Sequence, residues 1–228
     1  MADKGNKRHL KALSAPKYFS IEKKESAYVA KQNPGRFKLS TSVPLVIALG
    51  KLPGGSARRS DLKSIIKAGD VKVNYKIIND PKYPIGLNDI IELEKEGKSY
   101  LIGIDRRAKF AFSELKSKPA GRLQKVVGKF KYAGGKIMVR LYDGTVLGAD
   151  KGAGVNDSVI IGSDGSVQKA IKMGIGVKCF VYNGVHVGEA GTIKELIPGA
   201  ANREASAKIE GEGGVLFDTQ LKNIMAIE

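Results

Sequence analysis

Past Asp105 the sequence is cut by glycine every few residues: 17 of its 28 glycines lie at or after Gly134, between short stretches of alternating apolar and polar residues. Glycine supplies the positive backbone angles that tight hairpin turns need, and alternation gives a pleated strand one apolar face. A chain interrupted this often has no room for long helices there. It predicts small β structures with tight corners.

Strands are expected at 109–112, 123–132 and 137–142, with Gly134-Gly135 and Asp143-Gly144 as turns, and at 155–161 and 167–171 around Asp164-Gly165. Upstream the pattern differs. Val43 to Gly50 places Pro44 in the first turn and a glycine after the last apolar residue, predicting a short buried helix. In a second helix Ser60 is the expected N-cap, Leu62, Ile65 and Ile66 share one face, and Gly69 is the stop. Strands follow at 71–73, 77–78, 90–93 and 99–104, with turns at Asn74-Tyr75 and Glu96-Gly97 and a loop over 81–84. Residues 1–38 hold Pro16, Pro34 and Gly35 among scattered cations without an apolar period, which predicts an extended arm that orders on a partner.

The fold class is therefore α+β. An N-terminal arm (1–41) precedes a small α/β domain (42–106), a central β-rich domain (107–173) and a C-terminal β domain (174–228).

The formal net charge of +16 exceeds what solubility requires and calls for a polyanionic partner. It is uneven: +7 over 1–38, +3 over 39–106, +8 over 107–173 and −2 over 174–228. The last quarter is thus not expected to be the main polyanion surface. A single cysteine, Cys179, with only His9 and His186 beside it, excludes a disulfide framework and a structural zinc site and fits a reducing cytosol. Met1 to Lys11 is basic without the apolar core of a secretory signal, and the stretch 43–49 is too short to cross a bilayer, so no membrane partner is expected.

Enzyme chemistry finds little footing. Gly50-Lys51-Leu52-Pro53-Gly54-Gly55-Ser56-Ala57 approaches a phosphate-binding loop but has Ser56 where the lysine belongs, and it follows a helix rather than a strand. Cys179 lacks an evident base and reads as a core residue, while Asp143, Asp157 and Asp164 read as turn residues. No catalytic constellation, cofactor or small-molecule substrate is expected.

The motifs themselves resemble known modules. Residues 42–93, with Ala57-Arg58-Arg59-Ser60-Asp61, Lys67-Ala68-Gly69-Asp70-Val71-Lys72-Val73-Asn74 and Gly86-Leu87-Asn88-Asp89-Ile90-Ile91, resemble the S-four RNA-binding domain. Residues 176–197, with Gly184, Gly188 and Gly191 between alternating apolar residues, resemble a KOW motif, whose fold is a small SH3-like barrel. The opening, Lys7-Arg8-His9-Leu10-Lys11 followed by Ala15-Pro16-Lys17, resembles a third signature. In this order they resemble the e-type family of small-subunit ribosomal protein four of archaea and eukaryotes. Eukaryotic members are expected to run on past residue 228 with a basic tail, so the archaeal ones look more alike.

The resemblance implies a structural constituent of the small ribosomal subunit, in the cytoplasm, that binds small-subunit ribosomal RNA and touches neighbouring ribosomal proteins. Physical chemistry points to the same residues. Lys4, Lys7, Arg8, His9, Lys11 and Lys17, with Arg36 and Lys38, suit an arm that threads between phosphates and gains affinity by releasing counterions. Arg58 and Arg59 stand where the second helix opens, beside backbone amides that favour phosphate, and Lys63, Lys67 and Lys72 extend that surface. Arg106, Arg107 and Lys109 are candidates at the next boundary, and Gly184, Gly188 and Gly191 mark the KOW loop.

Two rivals belong to other classes. An RNA-modifying enzyme such as a pseudouridine synthase carries an S-four domain ahead of a catalytic one with an Arg-Leu-Asp context; here only Arg140-Leu141-Tyr142-Asp143 comes near, with too little chain after it. A translation or transcription factor visiting RNA transiently through its KOW module is the other, distinguished by stoichiometry on the subunit.

Overall fold

The computed structural model describes residues 9–21, 24, 26–53, 58–117, 119, 121–148, 152–200, 202–211 and 213–227. The chain forms two compact units, one made of Met1–Gly103 with Lys109–Ser117 and the other of Ile104–Ala108 with Lys118–Glu228. No described helix is long and apolar enough to cross a membrane.

In the first unit the described part of the N-terminal segment is folded, which corrects the expectation of an extended arm. Leu10–Lys11 (β1) pairs antiparallel with Tyr28–Val29 (β2), and single 3-10 turns at Ala12–Ser14 and Lys17–Phe19 lie between them. Leu10, Ala12, Phe19, Val29 and Phe37 are buried. Their spacing follows neither 3.6 nor 2 because two-residue strands and isolated turns carry them, so each reaches a core without leaving a period in the sequence.

Ser42–Pro44 (β3) leads into the helix Leu45–Leu49 (α1), whose five side chains are all buried. The helix Arg59–Ala68 (α2) follows, then Val71–Val73 (β4), Lys76–Ile77 (β5), Pro84–Gly86 (β6), Ile90–Leu93 (β7), Lys98–Ile104 (β8) and Phe110–Leu115 (β9). One sheet has the order β5-β4-β7-β8-β9, and β3 pairs with β6.

Three expectations are corrected here. Val43 and Pro44 belong to a strand rather than the helix, and Pro84 is in the strand opposite instead of a loop. Val43 lies across from Ile85 and Pro44 from Pro84, while the Leu45 amide donates to the Tyr83 carbonyl at 2.9 Å. Facing prolines are tolerated because they form a non-hydrogen-bonded pair, next to the hydrogen-bonded Leu45 and Tyr83, where an amide would point away from the opposite strand. Ser60 is not the cap of α2: Arg58 holds that position in an extended conformation without a side-chain cap, and the Ser60 hydroxyl donates to the Asp61 carboxylate at 3.1 Å. Gly69 ends the helix as expected, at φ +85°.

The second unit is almost all β. Gly121–Lys131 (β10), Ile137–Leu141 (β11), Val146–Gly148 (β12), Ser158–Gly162 (β13) and Val167–Ile171 (β14) form an antiparallel sheet in the order β12-β11-β10-β13-β14, over a core of Val126, Val139, Leu141, Ala153, Val159 and Ile161. The turns at Gly134-Gly135, Asp143-Gly144 and Asp164-Gly165 fall where glycine placed them. The strand expected from 155 begins only at Ser158, because Asn156 turns the chain at φ +73° and Asp157 spends both carboxylate oxygens on the amides of Gly154 and Met173.

Lys178–Val181 (β15), Ala190–Ile197 (β16), Ser206–Gly211 (β17), Leu216–Gln220 (β18) and Ile224–Ala226 (β19) make a second five-stranded antiparallel sheet, ordered β18-β17-β16-β15-β19. Cys179, Val181, Ile193, Ala207, Ile209, Phe217 and Ile224 form its core.

Candidate nucleic-acid interface

Helix α2 divides its residues cleanly. Leu62 and Ile66 are buried and Ile65 half-buried, while Arg59, Lys63 and Lys67 recur every fourth residue, so they line one outward face. Arg58 stands at the head of that line. All four cations are exposed, and none has an ion-pair partner among the described residues.

The first turn adds backbone donors. The amides of Asp61 and Leu62 return to the Arg58 carbonyl at 3.0 and 3.1 Å. Those of Arg59 and Ser60 precede any carbonyl the helix could offer them, and the helix dipole adds partial positive charge at the same end. Four cations and two amides without a partner among the described residues thus form one surface suited to phosphate oxygens.

Other residues expected at the interface are placed differently. His9, Lys11, Lys17 and Lys38 are exposed on the N-terminal segment, the His9 and Tyr28 ring centres 5.7 Å apart in an edge-on arrangement. Lys4, Lys7 and Arg8 lie outside the described residues, as do Gly54 to Ala57. Arg36 has an internal duty: its guanidinium pairs at 3.3 Å with the fully buried Asp89, which also accepts from Asn74 and the Gly86 amide, and it lies 5.5 Å from the Phe37 ring centre. Lys72 pairs with Glu94, whose hydrogen bond and charge raise the lysine pKa. Arg106 and Arg107 are exposed in the turn ending at Ala108, and Lys109 is exposed just beyond it.

The three glycines of the KOW resemblance are packing positions. Gly188, at φ +82°, has no room for a side chain: a Cβ there would stand 2.6 Å from the Arg106 amide nitrogen. Gly191 lies opposite Gly211 in the β16–β17 ladder, and a Cβ would run into the Glu210 carbonyl oxygen. Gly184 sits in the same loop as Gly188, beside Asn223.

Several polar groups inside the second unit are internally occupied. Arg122 and Asp143 pair at 2.8 Å with both side chains buried. Burial alone would raise the Asp143 carboxyl, but the Arg122 guanidinium and the hydroxyl and amide of Thr145 hold it below the usual carboxylate range. Cys179 is in the core, where burial pushes its thiol up to about 11. His186 is engaged with Phe217, stacked at 4.4 Å, and with Glu189 at 3.3 Å.

No cation between Lys109 and Gly184 was expected at the interface, yet Lys131 on β10 and Arg140 on β11 are exposed, as is Lys136 just before β11. The absence of any acidic residue from Leu115 to Tyr142 was the signal.

Comparison with known proteins matches three family descriptions in chain order: the RS4NT (NUC023) domain over residues 4–38, the S4 domain over 54–91 and Ribosomal family S4e over 96–165. The chain is similar to the small ribosomal subunit protein eS4 of Methanocella arvoryzae, 32% identical over 82% of this chain and 80% of that one. It is also similar to that of Methanococcus aeolicus, 30% identical over 96% and 93%. Among solved structures it is similar to the 30S ribosomal protein S4e of Thermoplasma acidophilum, with a TM-score of 0.68 and 26% identity over 82% of this chain and 95% of the other. Helix α2, with its line of cations, falls inside the S4-domain match, and the matches to whole relatives run through both units: the chain belongs to the eS4 family of small ribosomal subunit proteins.

Proposed function

We propose that the chain is a structural constituent of the small ribosomal subunit that holds small-subunit ribosomal RNA chiefly through the outward face of α2. The observation that carries this is the row Arg58, Arg59, Lys63 and Lys67, exposed and without an ion-pair partner among the described residues, within the segment that matches the S4 domain. Folded RNA is recognised by shape, phosphates and 2′-hydroxyls, so a line of cations beside helix amides suffices without a base-reading code. His9, Lys11, Lys17 and Lys38, with Lys4, Lys7 and Arg8, extend the same role along the N-terminal segment, and Arg106, Arg107 and Lys109 add phosphate contacts. Arg36 and Lys72 serve the fold first, because their charges are already balanced by Asp89 and Glu94.

Four modules divide the work: 1–41, 42–106, 107–173 and 174–228. The last is an SH3-like barrel of KOW type. Support comes from its strand order, in which β19 returns beside β15 after the 3-10 turn Leu221–Asn223. Its net charge of −2 suits contact with neighbouring ribosomal proteins better than a leading role on phosphate. Catalysis, cofactors and small-molecule substrates have no part in this role, which is exercised on cytoplasmic ribosomes.

Sedimentation tests it. The tagged protein should travel one to one with small subunits and stay there after a high-salt wash; loss into the supernatant would identify a transient factor instead.

A further inference from the structure

The outer face of the β10–β11–β12 ladder carries a second feature, distinct from the cation row of α2. Residues directly opposite each other in an antiparallel ladder share a face. Phe130 lies opposite Met138 and Gly128 opposite Arg140, and on the next strand Arg140 lies opposite Val146 and Met138 opposite Gly148. The Tyr132 amide continues the ladder by donating to the Lys136 carbonyl at 2.8 Å. One face therefore presents Phe130, Tyr132, Met138 and Val146 with Lys136 and Arg140 among them.

Both rings are open to solvent. Phe130 is 40% and Tyr132 63% exposed, and neither side chain has an aromatic or hydrogen-bonding partner among the described residues. Glycines at 128 and 148 keep the platform low around them, and the Arg140 guanidinium reaches over Gly128, where a Cβ would be 3.7 Å from its Nη2. No acidic residue occurs between Leu115 and Tyr142, and Asp143, which follows, is buried against Arg122.

We infer that this face is a stacking platform for unpaired RNA bases: Phe130 and Tyr132 take the base rings, and Lys136 and Arg140 take the flanking phosphates. Flat aromatic rings on an open sheet, set among cations, offer what a single-stranded nucleotide presents, a π-face and an anion repeated along the chain. A second copy of the protein fits poorly, because joining two such faces would bring Lys136 and Arg140 of both together without a counter-charge. The inference rests on the ribosomal RNA reading and adds a site on the other compact unit, with a different chemistry of contact.

Filter binding of the full-length protein to small-subunit ribosomal RNA over a range of salt tests it. Phe130→Leu with Tyr132→Leu keeps apolar bulk but removes the rings, and should weaken binding at least about tenfold while leaving the salt slope unchanged, since stacking releases few counterions. Swapping the rings, Phe130→Tyr with Tyr132→Phe, should retain wild-type affinity, which separates loss of stacking from damage to the fold. Wild-type affinity in the leucine variant overturns the platform while leaving the α2 reading intact, as does a ring-swapped variant as weak as the leucine one. Failure of the wild-type protein to bind this RNA would overturn both.

Discussion

The Lys125 ammonium, buried inside the second unit, donates a hydrogen bond of 2.7 Å to the Ile224 carbonyl, 99 residues further along the chain. It donates another to the Leu221 carbonyl, and the Tyr182 ring centre lies 5.7 Å away. One lysine on β10 thereby ties the central sheet to the turn that precedes β19. Burial pulls its pKa down to about 8 from an ordinary 10.5. Between those values the unfolded chain binds more protons than the folded one, so this residue's contribution to stability rises with pH from about 8 to about 10.5 and is smallest below that window. The neutral amine still has two N–H groups for the two carbonyls. Lys125→Met should lose about 2 kcal/mol at pH 7 by stranding them. The gap in unfolding free energy between wild type and variant should widen from pH 8 to pH 10.5 in urea titrations.

Asp143 has the opposite sign. Its carboxyl is held below its unfolded value, so the stability it supplies is complete at neutral pH and lost as pH falls through the depressed folded value. Asp143→Asn removes the charge that balances buried Arg122 and should cost about 3 kcal/mol at pH 7. Its stability should also depend less on pH than that of wild type on the acid side, measured by urea midpoints from pH 7 downward.

Cys179 should be chemically silent in the folded protein. With the thiol buried and pushed up to about 11, almost no thiolate is present at pH 8, so a colourless aromatic disulfide reagent should release no chromophore until denaturant is added. After denaturation one equivalent should react.

Gly188 and Gly191 should matter to folding rather than to RNA. Alanine at 188 meets the Arg106 backbone at a positive φ, and alanine at 191 meets the Glu210 carbonyl, so each should cost about 2 kcal/mol or more. Thermal unfolding measures that cost, and RNA affinity below the melting range should be preserved.

Most of the β elements were legible because their causes are local. The strand Val167–Ile171 and the glycine turns on either side of β11 follow from alternation and from turn chemistry within a few residues. The errors share a different cause. Val43 and Pro44 become a strand only because Ile85 and Pro84 arrive forty residues later, and the N-terminal segment folds because Phe19 and Phe37 find a core that no local period announces. In the candidate site, Arg58, Arg59, Lys63 and Lys67 were legible as charge at a helix. That Arg36 and Lys72 are balanced internally depends on Asp89 and Glu94, which only the folded chain brings to them.

The salt dependence of RNA binding tests the central claim that α2 is a phosphate-binding face. Replacing Arg58, Arg59, Lys63 and Lys67 together with glutamine removes four exposed charges while keeping good helix formers. Each lost phosphate contact should reduce the slope of log affinity against log salt by about 0.7 to 0.9, so the slope on small-subunit ribosomal RNA should fall by about 3 in total. Because the residues are on the surface, unfolding free energy should change by no more than about 0.5 kcal/mol per site. A slope equal to that of the wild-type protein would contradict the account, because the RNA would then have to be held somewhere other than α2.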